Sequence, residues 1–262
     1  MIYLNADQSG QGADNQTSAS LDAYQEQLKK KKKTAVRLMA LVTAVAFLIL
    51  SFSGALRLFG LPPLEFLLES RQLSQESDIA LLKQSVLSVS ANGSRGTGFI
   101  LADKQLAVTN YHILEQASQL EIRDINGRQS LYLEWHEAPE LDLAIFKIDS
   151  HEIDGLELET DALPDLGDTV LMIGNPLGFF NIVNEATYLG FAELTGWDIS
   201  LIKIQGPVYK GNSGSPVINQ DGKVIGVLFA TSKDPPSDGE LPFGYVIPAA
   251  AVADTAEAAG EN

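Results

Sequence analysis

The sequence predicts an all-β domain of the barrel or sandwich type, preceded by one N-terminal transmembrane helix. Short β-rich runs recur over residues 86–248 at intervals of about ten residues, which is typical of barrels and sandwiches. Turn dipeptides such as Asn92-Gly93, Asn126-Gly127 and Asp221-Gly222 separate several of these runs. Helical periodicity is scarce in the same range. The predicted strands are 86–91, 97–101, 105–110, 120–125, 130–135, 141–148, 169–174, 200–204, 215–219, 223–230 and 243–247.

The predicted transmembrane helix is the uncharged run Leu38–Leu56. As a helix it would be about 28 Å long at roughly 1.5 Å per residue, which nearly matches the hydrocarbon core of a bilayer. Five lysines at 29–33 and Arg37 precede it, and only Arg57 follows it closely. The positive-inside rule then places the N-terminus in the cytoplasm and the bulk of the chain outside. We predict a single-pass signal anchor at 38–57, with the lipid bilayer as its partner.

A cleavable signal peptide is the alternative for this segment. Ser53-Gly54-Ala55 offers small residues near the end of the apolar run. The charged region before the run would then be 37 residues long, which is unusual for a signal peptide. The anchor is therefore the preferred interpretation.

Composition divides the rest of the chain into four parts. Residues 1–37 are predicted to be a cytoplasmic tail, rich in polar residues up to position 28. Residues 58–83 form a linker with a short helix after Pro62-Pro63, 84–252 form the β domain, and 253–262 form an acidic tail.

Charge and composition exclude several classes of function. Residues 58–262 carry a net charge of −19, so their field would repel phosphates, and no nucleic-acid partner is expected. The chain has no cysteine, hence neither disulfides nor a thiol nucleophile. His112, His136 and His151 do not have the spacing of zinc ligands. We expect no metal and no cofactor.

The hexapeptide Gly211–Pro216 is the most informative motif. Its glycines allow backbone angles closed to other residues, so the N–H groups of Gly211 and Ser213 can point to one place beside the Ser213 hydroxyl. A nucleophile and an oxyanion hole for acyl transfer would then lie in one turn. The same residues also suit an ordinary turn between strands.

His112 and Asp142 are the candidate partners of Ser213. His112 follows the apolar run 105–110, and Asp142 begins the run 141–148. A carboxylate at the start of an apolar strand needs a donor, which an imidazole N–H can supply. Both residues also have structural interpretations without a catalytic role. His112 can be an ordinary surface or core side chain, and Asp142 can cap its strand or pair with Lys147. His136 and His151 are predicted to be solvated loop residues.

Taken together, four motifs resemble those of trypsin-like serine peptidases of the bacterial HtrA-type and glutamyl-endopeptidase-type branches. They are Gly96-Thr97-Gly98-Phe99-Ile100, Thr109-Asn110-Tyr111-His112, Leu141-Asp142-Leu143-Ala144 and Gly211-Asn212-Ser213-Gly214-Ser215-Pro216-Val217. The resemblance covers about 84–252. No PDZ domain, which HtrA proteins usually append, is expected after Pro248.

The resemblance implies two six-stranded antiparallel β-barrels with the site between them. It implies Ser213 as nucleophile, His112 as general base, Asp142 as the residue that orients His112, and the N–H groups of Gly211 and Ser213 as the oxyanion hole. Protein or peptide substrates and a role in protein quality control or processing follow. A homotrimer has a precedent in the HtrA branch, but no sequence feature requires one.

The alternative function is a membrane-tethered sensor or binding domain that cleaves nothing. HtrA-type peptidases can rest with a collapsed oxyanion hole, and residues 175–197, with Gly178-Phe179-Phe180, are where such control would reside. A purely structural membrane anchor would leave the motifs around His112, Asp142 and Ser213 unexplained.

Overall fold

The computed structural model describes residues 29–48, 65–102, 106–115, 119–130, 132–148, 154–232 and 241–260, with positions 26 and 117. They belong to two compact units, Met1–Pro63 and Leu64–Asn262. In the first unit, residues 29–48 form helix α1. No helix within the described ranges is long and apolar enough to cross a membrane. Residues 49–57 of the predicted anchor lie outside those ranges.

The second unit begins with two helices that the sequence analysis assigned to a linker. Helix α2 spans Glu65–Leu73 and α3 spans Ser77–Leu82, followed by one 3-10 turn. Phe66 and Ser70 of α2 are both buried, as is Ile79 of α3. These side chains belong to the packed interior of the second unit, Leu64–Asn262. Phe66, Ser70 and Leu73 recur at i, i+4 and i+7, which sets them on one face of α2.

The first half of the β domain is one antiparallel sheet of seven strands in the order β5-β4-β1-β2-β3-β7-β6. The sequence predicted a closed six-stranded barrel here, whereas the described ranges form a curled half-barrel with β5 and β6 at its two edges. The sheet curls because β5 ends at Ser130 and β6 begins at Tyr132, so the two edges are neighbours in the chain. The strands are β1 Val86–Ala91, β2 Ser94–Leu101, β3 Leu106–Asn110, β4 Leu120–Arg123, β5 Gln129–Ser130, β6 Tyr132–Ala138 and β7 Leu143–Ile148.

The second half is a closed barrel of six strands in the order β10-β13-β12-β11-β8-β9, with β9 paired to β10. This part of the prediction is confirmed. Closure leaves no exposed strand edge and encloses an apolar interior that includes Met172, Ile202 and Ile225. The strands are β8 Thr169–Gly174, β9 Ile182–Ala192, β10 Leu201–Gln205, β11 Pro216–Ile218, β12 Val224–Thr231 and β13 Phe243–Pro248.

Strand β9 was missed by the sequence analysis, although it has eleven residues. Asn184, Glu185 and Gly190 interrupt its β-branched residues, so its composition suggested part of a long loop. Its neighbours β8 and β10 both pair with it, and the barrel closes through it. Tertiary pairing therefore overrides the weak local propensity.

The two halves share a core. One apolar cluster contains residues of both, including Phe99 of the first sheet and Ile173 of the barrel. The final helix, α5 Ala249–Gly260, buries Val252 and Ala256 in the same cluster. The acidic tail predicted at 253–262 is thus largely a helix that packs on the fold.

Helix α2 gives one prediction about stability and pH. The pKa of Glu69 on α2 is raised from its usual 4.5, first by burial and then by repulsion from Glu185 of β9. A raised pKa in the folded state means that protonated Glu69 favours folding. The ionised form opposes folding as the pH rises through that pKa, and the penalty is absent below about pH 4.

We therefore expect Glu69→Gln to raise the melting temperature slightly at pH 7, by about 2 °C or less, because Glu69 is largely exposed and screened. The gain should vanish near pH 4. Thermal unfolding at both pH values measures this, with Glu257→Gln on the exposed side of α5 as the control. An equal gain at both pH values would contradict the assignment.

Candidate active site

His112 lies on the short helix α4, Tyr111–Leu114, which directly follows β3. The next two residues, Ile113 and Leu114, are buried in the core of the first sheet. They hold the helix down so that His112 faces outward, with 45% of its side chain exposed. Burial of its neighbours therefore fixes an exposed imidazole on a rigid element.

Asp142 follows the 3-10 turn Pro139–Leu141 and binds the segment that carries His112. Its Oδ2 lies 2.7 Å from His112 Nδ1, and its Oδ1 accepts the His112 N–H at 2.8 Å. Its carbonyl oxygen accepts the Tyr111 N–H at 3.0 Å and Asn110 Nδ2 at 2.9 Å. Asp142 has a left-handed φ of +51°, which aspartate tolerates better than most residues. One residue thus fixes three consecutive partners.

Ser213 lies in the loop between β10 and β11 of the second half, and its carbonyl oxygen accepts the Thr97 N–H of the first sheet. Gly211 and Gly214 have φ values of +102° and +84°. A Cβ at Gly214 would meet the Thr97 carbonyl oxygen at 1.9 Å, so glycine is required there for space as well as for conformation. The Ser213 hydroxyl lies 3.5 Å from the carbonyl oxygen of Phe229.

The backbone N–H groups of Gly211 and Ser213 in this loop have no acceptor among the described residues, and neither has that of Lys210. By contrast, Asn212 N–H binds the Tyr209 carbonyl, and Gly214 N–H binds the Leu228 carbonyl. The unpaired N–H groups of Gly211 and Ser213 are therefore available to a ligand.

The peptide between Lys210 and Gly211 is held by a neighbouring segment. The Lys210 carbonyl accepts the Leu177 N–H at 2.7 Å. No described peptide bond is cis, so the Gly211 N–H points opposite to this carbonyl. The hydrogen bond from Leu177 therefore makes the Gly211 N–H point away from the segment that contains Leu177.

Thr97 of β2 connects the first sheet to the Ser213 loop. Its N–H donates to the Ser213 carbonyl at 2.8 Å, and its hydroxyl donates to the Gly211 carbonyl at 2.9 Å. The same hydroxyl accepts the Asn175 N–H at 3.0 Å, and Thr97 is fully buried. The sequence alone did not indicate a role for Thr97, Asn175 or Leu177. A polar residue between two glycines in an apolar strand was the available signal.

The other two histidines are not part of this arrangement. His136 lies within β6, opposite Ile145, and is partly buried, so its prediction as a solvated loop residue was wrong. His151 lies outside the described residues. In the part of the chain that the structure describes, no group of three or more His, Cys, Asp or Glu residues is placed to hold a metal ion.

These residues offer three chemical functions. An imidazole bound to a carboxylate can accept and return a proton. A half-buried hydroxyl, that of Ser213, can act as a nucleophile, and two unpaired N–H groups can stabilise a developing negative charge.

The sequence is similar to proteins described as serine endoproteases. The sequence is 32% identical over 157 residues to a "Probable periplasmic serine endoprotease DegP-like" of Chlamydia muridarum, covering 59% of this chain and 31% of that protein. It is 33% identical over 163 residues to the protein of that description from Rickettsia prowazekii, covering 58% and 31%. The chain thus spans about a third of the length of these relatives.

Solved structures show the same fold. A serine endoprotease from Yersinia pestis has a TM-score of 0.61 at 26% identity, covering 71% of this chain and 66% of that one. A Mycobacterium tuberculosis protease in its active form has a TM-score of 0.61 at 21% identity, covering 70% and 84%. Residues 96–227, half of the chain, match the family described as "Trypsin-like peptidase domain". The chain belongs to the trypsin-like peptidase domain family.

Proposed function

We propose that this chain is an extracytoplasmic serine endopeptidase that hydrolyses peptide bonds of protein substrates, in protein quality control or processing. The observation that carries the proposal is the 2.7 Å contact between His112 Nδ1 and Asp142 Oδ2. Family membership and the DegP-like relatives support it. Ser213 is the proposed nucleophile, and His112 is the proposed general base.

The contact with Asp142 decides which ring nitrogen of neutral His112 carries the proton. Oδ2 favours the tautomer with the proton on Nδ1, which leaves Nε2 as the proton acceptor. Ser213 Oγ attacks the substrate carbonyl carbon as His112 takes its proton. His112 then gives that proton to the leaving amine while the C–N bond breaks. Water hydrolyses the acyl ester by the same two proton transfers and restores the Ser213 hydroxyl.

The N–H groups of Gly211 and Ser213 are the proposed oxyanion hole. They have no acceptor in the described part of the chain, and the Leu177 contact orients the Gly211 N–H. Preorganised donors of this kind stabilise the tetrahedral intermediate without reorganisation, and one of them typically contributes about 10²–10³ in kcat.

A catalytically silent sensor is the second candidate. The supporting observation is that the Ser213 hydroxyl lies at hydrogen-bond distance from the Phe229 carbonyl oxygen, which a resting site would allow. The orientation of the Lys210–Gly211 peptide supports the peptidase instead, because it leaves the proposed oxyanion donors unpaired.

Covalent labelling of the full-length chain in detergent separates the two candidates. We expect a biotinylated fluorophosphonate to label the wild type and not Ser213→Ala. Asp142→Asn, which tolerates the left-handed backbone, should lower turnover of casein by about 10⁴-fold because the imidazole loses its orienting charge. Ser215→Ala, two residues from Ser213, is the matched control and should keep its label. A wild type that resists labelling under every condition would favour the sensor.

Thr97 gives a second test of the proposed oxyanion hole. Its hydroxyl supports the Gly211 carbonyl and accepts the Asn175 N–H inside the fold. Thr97→Val keeps the shape and leaves both groups without a partner, each at a cost of about 1–3 kcal/mol.

We expect Thr97→Val to lower the free energy of unfolding by roughly 2 kcal/mol or more and kcat by about 10²-fold. Urea unfolding and casein turnover measure the two effects. Thr97→Ser keeps the hydroxyl and should stay near the wild type. Wild-type turnover in a folded Thr97→Val protein would remove Thr97 from the proposal.

Membrane anchoring through residues 38–57 is also part of the proposal. The apolar side chains of α1 within this range are exposed, among them Met39 at 67% and Phe47 at 70%. A run of lysines precedes them, as expected on the cytoplasmic side. The names of the DegP-like relatives, which include the word periplasmic, agree with an extracytoplasmic domain.

We expect the chain to stay in the membrane fraction after carbonate washing and to be released by detergent. External protease should degrade the β domain in spheroplasts while residues 1–37 stay protected. N-terminal sequencing is the control, since a mature protein that starts after Ala55 would identify a signal peptide instead. Protection of the β domain in intact spheroplasts would reverse the orientation.

A further inference from the structure

Helix α2 carries Phe66, whose ring contacts two aromatic residues near the Leu177–Lys210 hydrogen bond that orients the Gly211 N–H. Phe66 is 97% buried, since its exposed fraction is 3%. Its ring centroid lies 5.3 Å from that of Tyr209 and 6.0 Å from that of Phe179. Both distances lie within the usual range for stabilising aromatic pairs.

Tyr209 and Phe179 are close in sequence to the acceptor and the donor of the hydrogen bond that orients the Gly211 N–H. Tyr209 directly precedes Lys210, whose carbonyl is the acceptor of that bond. Phe179 lies two residues after Leu177, whose N–H is the donor. Phe66 therefore contacts both of the segments that this hydrogen bond joins.

The segment that contains Leu177 needs contacts with other parts of the fold to keep its backbone conformation. Leu177 has a φ of +56°, which is unfavourable for leucine, whereas Asn181 has a φ of +55°, which asparagine tolerates better. Leu177 and Phe179 are each 41% exposed, so their own burial contributes little. A strained and exposed segment keeps its conformation only when its surroundings determine it.

Polar contacts fasten the same segment to the helices that precede β1. Ser70 Oγ of α2 accepts the Val183 N–H at 3.0 Å. Asn181 Nδ2 donates to the Lys83 carbonyl at 2.8 Å, and Asn181 N–H donates to Asn175 Oδ1 at 2.9 Å. Helix α2 is therefore bonded to the start of β9, and the 3-10 turn that begins at Lys83 is bonded to the loop before β9.

We propose that Phe66 is a positioning residue for the reaction of Ser213. It holds Tyr209 and Phe179 together, so that Leu177 binds the Lys210 carbonyl and the Gly211 N–H stays available to the oxyanion. The inference rests on the proposed peptidase function and adds to it that the catalytic geometry depends on a helix outside both halves of the β domain. Without the ring, the Lys210–Gly211 peptide is free to turn, and the site loses one donor.

The test measures the rate of labelling by a fluorophosphonate at saturation and the concentration that gives half of that rate. In the full-length chain, we expect Phe66→Ala to lower the maximal rate by about 100-fold, as expected for loss of an oxyanion donor. The half-saturating concentration should change by less than about twofold, because Phe66 is not expected to touch the probe. Loss of rate without loss of binding is a result that general destabilisation does not produce.

Two variants of the same helix are matched controls. Leu68→Ala removes a side chain that is 70% exposed and should label like the wild type. Leu73→Ala removes a partly buried side chain that packs on the shared core. It should lower the melting temperature and keep the labelling rate at the assay temperature.

Phe66→Leu keeps an apolar side chain in the buried site and decides the question if Phe66→Ala does not fold. We expect its maximal labelling rate to fall by about tenfold, between the alanine variant and the wild type. A folded Phe66 variant that labels within about threefold of the wild type would overturn the inference. So would a Leu73→Ala variant that loses as much rate as Phe66→Ala. A wild type that does not label would instead contradict the peptidase function itself.

Discussion

Thr97 lies in β2 of the first sheet and donates hydrogen bonds from its main-chain N–H and its hydroxyl to the loop that carries Ser213. Its carbonyl oxygen accepts a third bond, from the Thr109 hydroxyl of β3. The proposed nucleophile belongs to the second half of the domain, whereas His112 and Asp142 belong to the first. These buried hydrogen bonds and the shared apolar core therefore set the distance between base and nucleophile.

In the proposed reaction, the two halves contribute different kinds of chemistry. The first half would supply proton transfer through His112, which its own neighbours and Asp142 hold in place. The second half supplies the hydroxyl and the backbone donors, on a loop shaped by Gly211 and Gly214. Because the oxyanion donors are backbone groups, their direction depends on how peptides are turned. This explains why residues as distant in sequence as Phe66 and Leu177 matter to the proposed site.

Much of the site follows from local sequence, and the rest does not. Histidine, aspartate and serine carry distinctive chemistry, so His112, Asp142 and Ser213 could be selected from their residue types and flanking strands. Thr97 and Leu177 act through a hydroxyl and an N–H whose partners lie far away in the chain, which no local pattern reveals. The fold shows the same division. Strands with β-branched runs were predicted, whereas β9 forms because its neighbours pair with it.

The hydrogen bond between Thr97 and Gly211 joins residues 114 positions apart. Contacts of such separation are slow to form, because the entropy of closing the intervening chain must be overcome. The hydrogen bonds between Thr97 and the Ser213 loop also need the first sheet to be docked against that loop. A partly folded copy carries every residue of the proposed site without their arrangement. Hydrolytic activity would then be the last property to emerge during folding, and an immature chain would be unable to cut itself or the proteins beside it.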